Sequence, residues 1–201
     1  MKKEIVKEAI SLFIQYGFKS VTMDDIAQHM GVSKKTIYVH FPKKEQLVLE
    51  TAMTHIDVIL DRIISISKHS KDPIIELYQL KKEAMKHLSN EKNSPQYQLQ
   101  KYYPNIYTKL KEKEFKTLGE LFTSSIRKGK ETGLFREDLD EDFAMRIFFN
   151  GIRGITDIKL FPIDQYNIDK LLIRFSEYHL RAICSLEGTI KLEKYKKEMN
   201  L

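Results

Sequence analysis

Apolar residues recur at helical spacing from the start of the chain. Ile5, Ala9, Leu12, Phe13 and Tyr16 share one face of residues 3–16, and Gly17 follows where a left-handed C-terminal cap is expected. Thr22 heads a second run as N-cap, with Asp25 three residues on and Asp24 in the same first turn, where carboxylates favour the helix dipole. Met23, Ile26, Ala27 and Met30 then face inward, and Gly31 ends that helix. Only Gly31 and Val32 separate it from Ser33, an N-cap for a third helix reaching about His40. Two short helices therefore meet at a tight turn.

Phe41-Pro42 breaks the pattern, and Lys43-Lys44-Glu45 opens a long helix through Leu47, Leu49, Met53, Ile56, Leu60 and Ile63. Further amphipathic stretches run from Pro73 to about Leu88 and from Leu110 to Lys130, with a tyrosine-rich segment from Gln96 to Tyr107 between them. Loops are signalled at Ser94-Pro95, Pro104-Asn105 and Gly133. Two last long helices are predicted from about Asp140 to Leu160 and from about Tyr166 to Leu186, parted by Phe161-Pro162. No strand-like alternation competes. The expectation is an all-α chain with an N-terminal three-helix unit over 1–47 and a larger helical domain over 48–201.

Composition narrows the classes. Of 201 residues, 42% are hydrophobic and 31% charged, with five Pro and eight Gly, as suits a helical globular chain. A net charge of +6 permits an anionic partner, but 34 basic against 28 acidic residues is a modest excess, so location matters more than the total. The single Cys184 excludes an internal disulfide framework and a cysteine-based zinc finger, and reads as a buried thiol. Glu4, Lys7 and Glu8 interrupt any signal-peptide core after Met1-Lys2-Lys3, so a cytoplasmic chain is expected. A membrane span is not expected either, since Phe143 to Ile158 carries Arg146, Arg153 and Asp157. Enzyme motifs are missing too: there is no HExxH, P-loop, GxGxxG or paired ExxH, and Glu83 with His87 makes only two ligands of a metal site. No catalytic residue, metal or cofactor is predicted.

The third helix carries the chemistry. At about 100° per residue, with Ile37 set toward the core, Lys34 and Phe41 fall on the flanks. Lys35 and Val39 point outward, Thr36 and Tyr38 lie to the two sides, and His40 sits nearer the core edge. Lysine can donate to guanine or neutralise phosphate, valine methyls can pack on thymine, and the hydroxyls can bond phosphate oxygens. From Lys34 to Lys44 there are four lysines and no acid. Backbone amides near Thr22, Ser33 and Lys43 add anion-binding capacity. A lysine-rich helix can equally be a solvated face, and Thr22 and Ser33 plain caps. The order of a helix, a capped short helix, a Gly-containing turn and a basic capped helix points more specifically to a helix-turn-helix.

Val21 to Leu47, VTMDDIAQHMGVSKKTIYVHFPKKEQL, resembles the signature of the TetR family of transcriptional regulators, and Gly133-Leu134-Phe135-Arg136 through Gly151 and Gly154 gives a weaker echo. The resemblance implies an all-helical homodimer with an N-terminal unit on double-stranded DNA and a larger domain that dimerises and binds a small-molecule effector. It implies DNA-facing roles for Ser33, Lys34, Lys35, Thr36, Tyr38 and His40, and phosphate contacts for Thr22 and Lys44. The sequence departs from the pattern at Lys35, where many members carry a small residue, and at Val39, where many carry an aromatic one. Some also place a base at Asp24. The implied function is a ligand-responsive repressor on a (pseudo)palindromic operator. The alternatives are an activator of the same fold and a helical adaptor that meets an acidic partner.

The last two helices carry apolar stripes, from which Phe148, Ile152, Ile155, Leu172, Phe175 and Ile183 are read as dimer-interface residues, with Gly151 and Gly154 allowing close approach. An intrachain core is the competing reading of the same stripes. Met85, Tyr97, Tyr102, Tyr103, Tyr107 and Phe122 are candidates to line an effector pocket, and equally to be packing residues. Arg153 and Asp157, four apart, are expected to form an ion pair.

Overall fold

The computed structural model describes residues 1–88, 95–157, 159–162 and 164–198. Its helices are α1 (Lys2–Tyr16), α2 (Met23–His29), α3 (Lys34–His40), α4 (Lys44–His69), α5 (Pro73–Leu88), α6 (Pro95–Tyr102), α7 (Pro104–Glu131), α8 (Glu141–Ile155), α9 (Ile168–Ile183) and α10 (Leu186–Glu198). Among the described residues there is no strand, and the one recorded bridge is an isolated antiparallel pairing of Phe135 with Cys184. No described helix is long and apolar enough to cross a membrane.

The chain divides into two compact units. The first comprises Met1–Asp61 with Asn90–Phe115, and the second Arg62–Ser89 with Lys116–Leu201. The α4 and α7 helices thus contribute residues to both. In the first unit, Ile5, Ala9, Phe13, Ile26, Ile37 and Leu47 are fully buried, and the Phe13 and Phe18 rings lie 4.9 Å apart. The second closes around Leu77, Leu80, Phe122, Ile126 and Phe148.

Several boundaries move for local reasons. The break signalled at Pro104-Asn105 falls one residue earlier, at Tyr103, and Pro104 starts α7, where its missing N–H costs nothing because the first amides of a helix have no intrahelical acceptor. Gly17 ends α1 at φ 88, ψ 153, a region nearly exclusive to glycine and distinct from the left-handed cap expected there. Tyr16 is exposed at 57% rather than inward. The stretch read as one helix to Leu160 stops at Ile155, and its Arg153 and Asp157 form no ion pair. Asp157 instead accepts from the Lys159 N–H at 2.9 Å in the following turn.

The last predicted helix, expected to reach about Leu186, ends at Ile183, and a further helix that the sequence pattern did not assign, α10, follows it. Cys184 leaves α9 in extended conformation, and the Ser185 Oγ accepts from the Gly188 N–H at 3.0 Å to start α10. A side chain at Gly188 would collide with the Leu134 carbonyl, so glycine lets α10 pack against that backbone.

Candidate nucleic-acid interface

The α2–turn–α3 pair is held by its own ends. Thr22 and Asp25 form a reciprocal capping box: Thr22 Oγ1 accepts from the Asp25 N–H at 3.1 Å, and Asp25 Oδ2 accepts from the Thr22 N–H at 2.8 Å. Gly31 takes φ 66 in the turn, and the Val32 N–H bonds the Ala27 carbonyl at 3.0 Å. Ser33 Oγ accepts from the Thr36 N–H at 3.1 Å and lies 2.8 Å from Thr36 Oγ1. Fully buried Ile37 fixes the rotation of α3. That rotation leaves Lys35 exposed with Tyr38 at 46% and Val39 at 68%, while Thr36 and His40 are half-buried.

The cations are not equivalent. The Lys34 ammonium is paired with the Asp24 carboxylate, which raises its pKa above the ordinary lysine value. Lys44 is half-buried, and burial lowers its pKa. Its Nζ donates to the Lys19 carbonyl at 3.2 Å and stands 6.0 Å from the Phe13 ring centroid, so it ties the α1–α2 loop to the start of α4. Asp25 lies below its ordinary value because the backbone and hydroxyl of Thr22 both donate to it. Exposed Lys19, which sequence reasoning passed over, stands 4.9 Å over the Tyr102 ring. Its only signal was a lone lysine in a loop. Of the predicted residues, Lys35, Tyr38 and Val39 form one outward patch, whereas the Thr22 and Ser33 hydroxyls are engaged as caps.

Residues 5–51 match the profile of the bacterial regulatory proteins of the tetR family. The likeness to this family is carried by that N-terminal stretch. The chain is 33% identical over 72 residues to the HTH-type transcriptional regulator YuxN of Bacillus subtilis, covering 36% of this chain and 25% of that protein. It is 32% identical over 79 residues to IcaR of Staphylococcus aureus, a negative transcriptional regulator of the biofilm operon icaADBC, covering 39% and 42%. The chain thus spans less than half the length of these curated relatives. A transcriptional regulator from Cytophaga hutchinsonii has the same fold, with a TM-score of 0.76, 21% identity, and coverage of 91% of this chain and 98% of the other.

The remaining candidates are distributed unevenly. Phe148, Ile152, Ile155, Leu172 and Ile183 are buried within the chain itself, and Phe175 is half-buried against Phe148 and Gly151. The stripe read as an interface is thus largely intrachain core, because inward and outward faces of an amphipathic helix both carry apolar residues here. The exposed apolar side chains of α8 and α9 are instead Phe143, Ile147, Ile173 and Tyr178. Gly154 has open space where a side chain would project.

Of the pocket candidates, Tyr97, Tyr102, Tyr103 and Tyr107 belong to the first unit, and Met85 and Phe122 to the second. Tyr97 and Tyr102 are exposed, with the Lys101 ammonium 6.0 and 5.4 Å from their rings. Tyr103 and Tyr107 are half-buried, Lys111 standing 5.7 Å from the Tyr107 ring, and burial raises the pKa of Tyr103. Met85 and Phe122 are core residues of the second unit. That unit also has a cleft of ≈ 40 Å³ lined by Ile74, Tyr78, Ile173, Leu180, Leu192 and Tyr195, far below the roughly 300 Å³ of small-molecule sites. Among the described residues, no three His, Cys, Asp or Glu side chains converge as a metal site would require.

Proposed function

We propose that this chain is a transcriptional regulator that binds double-stranded DNA through α3. It acts as a homodimer on a (pseudo)palindromic operator and represses until a small molecule binds its second unit. The observation that carries the reading is the outward patch of Lys35, Tyr38 and Val39 on a short helix whose other face is locked by Ile37 and whose start is capped by Ser33. An ammonium, a phenol and a branched methyl pair are what major-groove edges and phosphates accept. The likeness to a negative regulator, IcaR, favours repression over activation. Location in the cytoplasm with the nucleoid and the absence of catalysis follow from the same reading.

The dimer face that suits this role is the outward side of α8 and α9, with Phe143, Ile147 and Tyr178 exposed at 63%, 42% and 73% and Gly154 open to a close neighbour. Two copies so joined present two α3 helices to two half-sites.

Fluorescence anisotropy against the protein's own upstream intergenic duplex, repeated across a salt titration, tests the reading. A steep fall of affinity with salt and preference over a scrambled duplex are expected. Absent or salt-insensitive binding overturns it in favour of a helical adaptor. Higher expression of the adjacent genes in a deletion strain marks a repressor, and lower expression an activator.

A further inference from the structure

The second unit buries a lysine with no counter-ion. Lys81 on α5 is completely inaccessible, and among the described residues no carboxylate lies in salt-bridge range of it. Its Nζ donates to Nδ1 of His179 on α9 at 2.6 Å, and stands 4.8 Å from the Phe148 ring centroid on α8. His179 Nε2 donates in turn to the Ala144 carbonyl at 2.8 Å, which fixes the neutral tautomer with its lone pair toward Lys81. One turn before His179, the Ser176 Oγ is buried and has no hydrogen-bond partner. The Phe148 and Phe175 rings lie 5.4 and 6.2 Å from the His179 ring, and Phe122 stacks on Phe148 at 5.1 Å, centroid to centroid.

An amine without a counter-ion and a hydroxyl without a partner are costly to bury in an aromatic core, and an apolar core would fold without that penalty. Both groups donate hydrogen bonds, and both are relieved by one anionic acceptor with an apolar body. We infer that Lys81, His179 and Ser176 form the polar end of an effector site for a small organic carboxylate, whose hydrocarbon part packs against Phe122, Phe148 and Phe175. The inference rests on the reading of the chain as a ligand-controlled regulator and names the chemical class of the ligand.

In this site the carboxylate accepts from Lys81 Nζ and from the Ser176 hydroxyl, while His179 keeps its bond to Ala144 and continues to accept a second Lys81 hydrogen. The titratable groups that face Lys81 are His179, whose pKa burial lowers to about 3, and the Cys184 thiol, pushed up to about 11 by burial. Neither supplies a negative charge at neutral pH. Burial also holds Lys81 well below the ordinary lysine value, so an arriving carboxylate draws a proton onto it from solvent.

Isothermal titration of the full chain with octanoate and benzoate, against octan-1-ol and benzyl alcohol, in two buffers of different ionisation enthalpy tests the site. At least one carboxylate should bind about tenfold or more tighter than its alcohol, with net proton uptake. Lys81→Met should remove both the preference and the uptake. Ser176→Ala, which deletes a hydroxyl bonded to nothing, preserves folding and should weaken the carboxylate several-fold while leaving the alcohol unchanged; it decides the matter if the Lys81 variant does not fold. Failure of both carboxylates to bind at millimolar concentration, equal binding of acid and alcohol, or uptake that persists in Lys81→Met overturns the site. DNA affinity measured on the same samples separates the two readings: intact DNA binding without carboxylate binding removes only this inference, and absent DNA binding removes the regulator.

Discussion

The ammonium of Lys34, the first helical residue of α3, is bound to the carboxylate of Asp24 in the first turn of α2. The pair joins the two helices across their turn and cancels one of the four lysines between positions 34 and 44. Both partners are exposed, with side-chain accessibilities of 65% and 49%, so the pair adds little to stability and acts mainly on the local field.

Asp24→Asn should therefore tighten binding to all duplexes and steepen the dependence of log K on log salt by about 0.9, the contribution of one added phosphate contact. Lys34→Ala should change affinity less than Lys35→Ala does. Salt titrations of the three variants by anisotropy check both statements, and a weaker complex for Asp24→Asn would show that the ion pair positions α3.

Lys35 and Lys44 should separate by kind. Lys35 projects from the exposed face of α3, and its replacement by Ala should change preference among operator variants, by about 1–3 kcal/mol at the base it reads. Lys44 sits at the start of α4, and Lys44→Ala should weaken matched and mismatched duplexes equally and flatten the salt slope. Competition binding with single-base operator variants distinguishes the two patterns.

The two α8 glycines should respond oppositely. A side chain at Gly151 collides with the Phe175 ring, so Gly151→Ala should cost about 1–3 kcal/mol in denaturant unfolding through displacement of that ring. Gly154 faces open space, so Gly154→Leu should leave the fold of each copy intact and shift the proposed dimer toward monomer. Sedimentation velocity at micromolar concentration reads the second effect. An unchanged dimer would place the interface elsewhere.

Asp72 links α5 to α10. Burial acts to raise its pKa, but the Lys191 ammonium, the Tyr195 hydroxyl at 2.9 Å and the Ile75 and Ile74 amides outweigh it, and the net value lies below the ordinary 3.8. A folded pKa below the unfolded one means that the unfolded chain binds the proton first. The stabilisation is therefore complete above the unfolded pKa and lost as pH falls through the folded one. Asp72→Asn should lower stability at pH 7 by up to about 1 kcal/mol, and the difference should close toward pH 3. Urea midpoints at the two pH values measure it.

The readings that held share a cause. The Thr22 and Ser33 caps, the Gly31 turn and the inward set of Ile37 depend on neighbours within about one helical turn, so their residue types and spacing carry the information. The end of α9 was read to within three residues, but α10 went unassigned, because its start depends on the Ser185 cap and on the fit of Gly188 against the distant Leu134 carbonyl. Likewise, the α8 and α9 stripes were visible, but which apolar residue faces in and which faces out was not.

The sequence by itself determined an all-helical chain, the helix-turn-helix near its start and the outward residues of α3, because helix periodicity, capping and turn chemistry are short-range. Only the tertiary structure decided that Asp24 holds Lys34, that Lys44 reaches the Lys19 carbonyl, and that Lys81 meets His179 across 98 positions of sequence. Charge pairing, burial and the cost of an unpartnered polar group depend on which surfaces meet in space, and no local pattern along the chain records that.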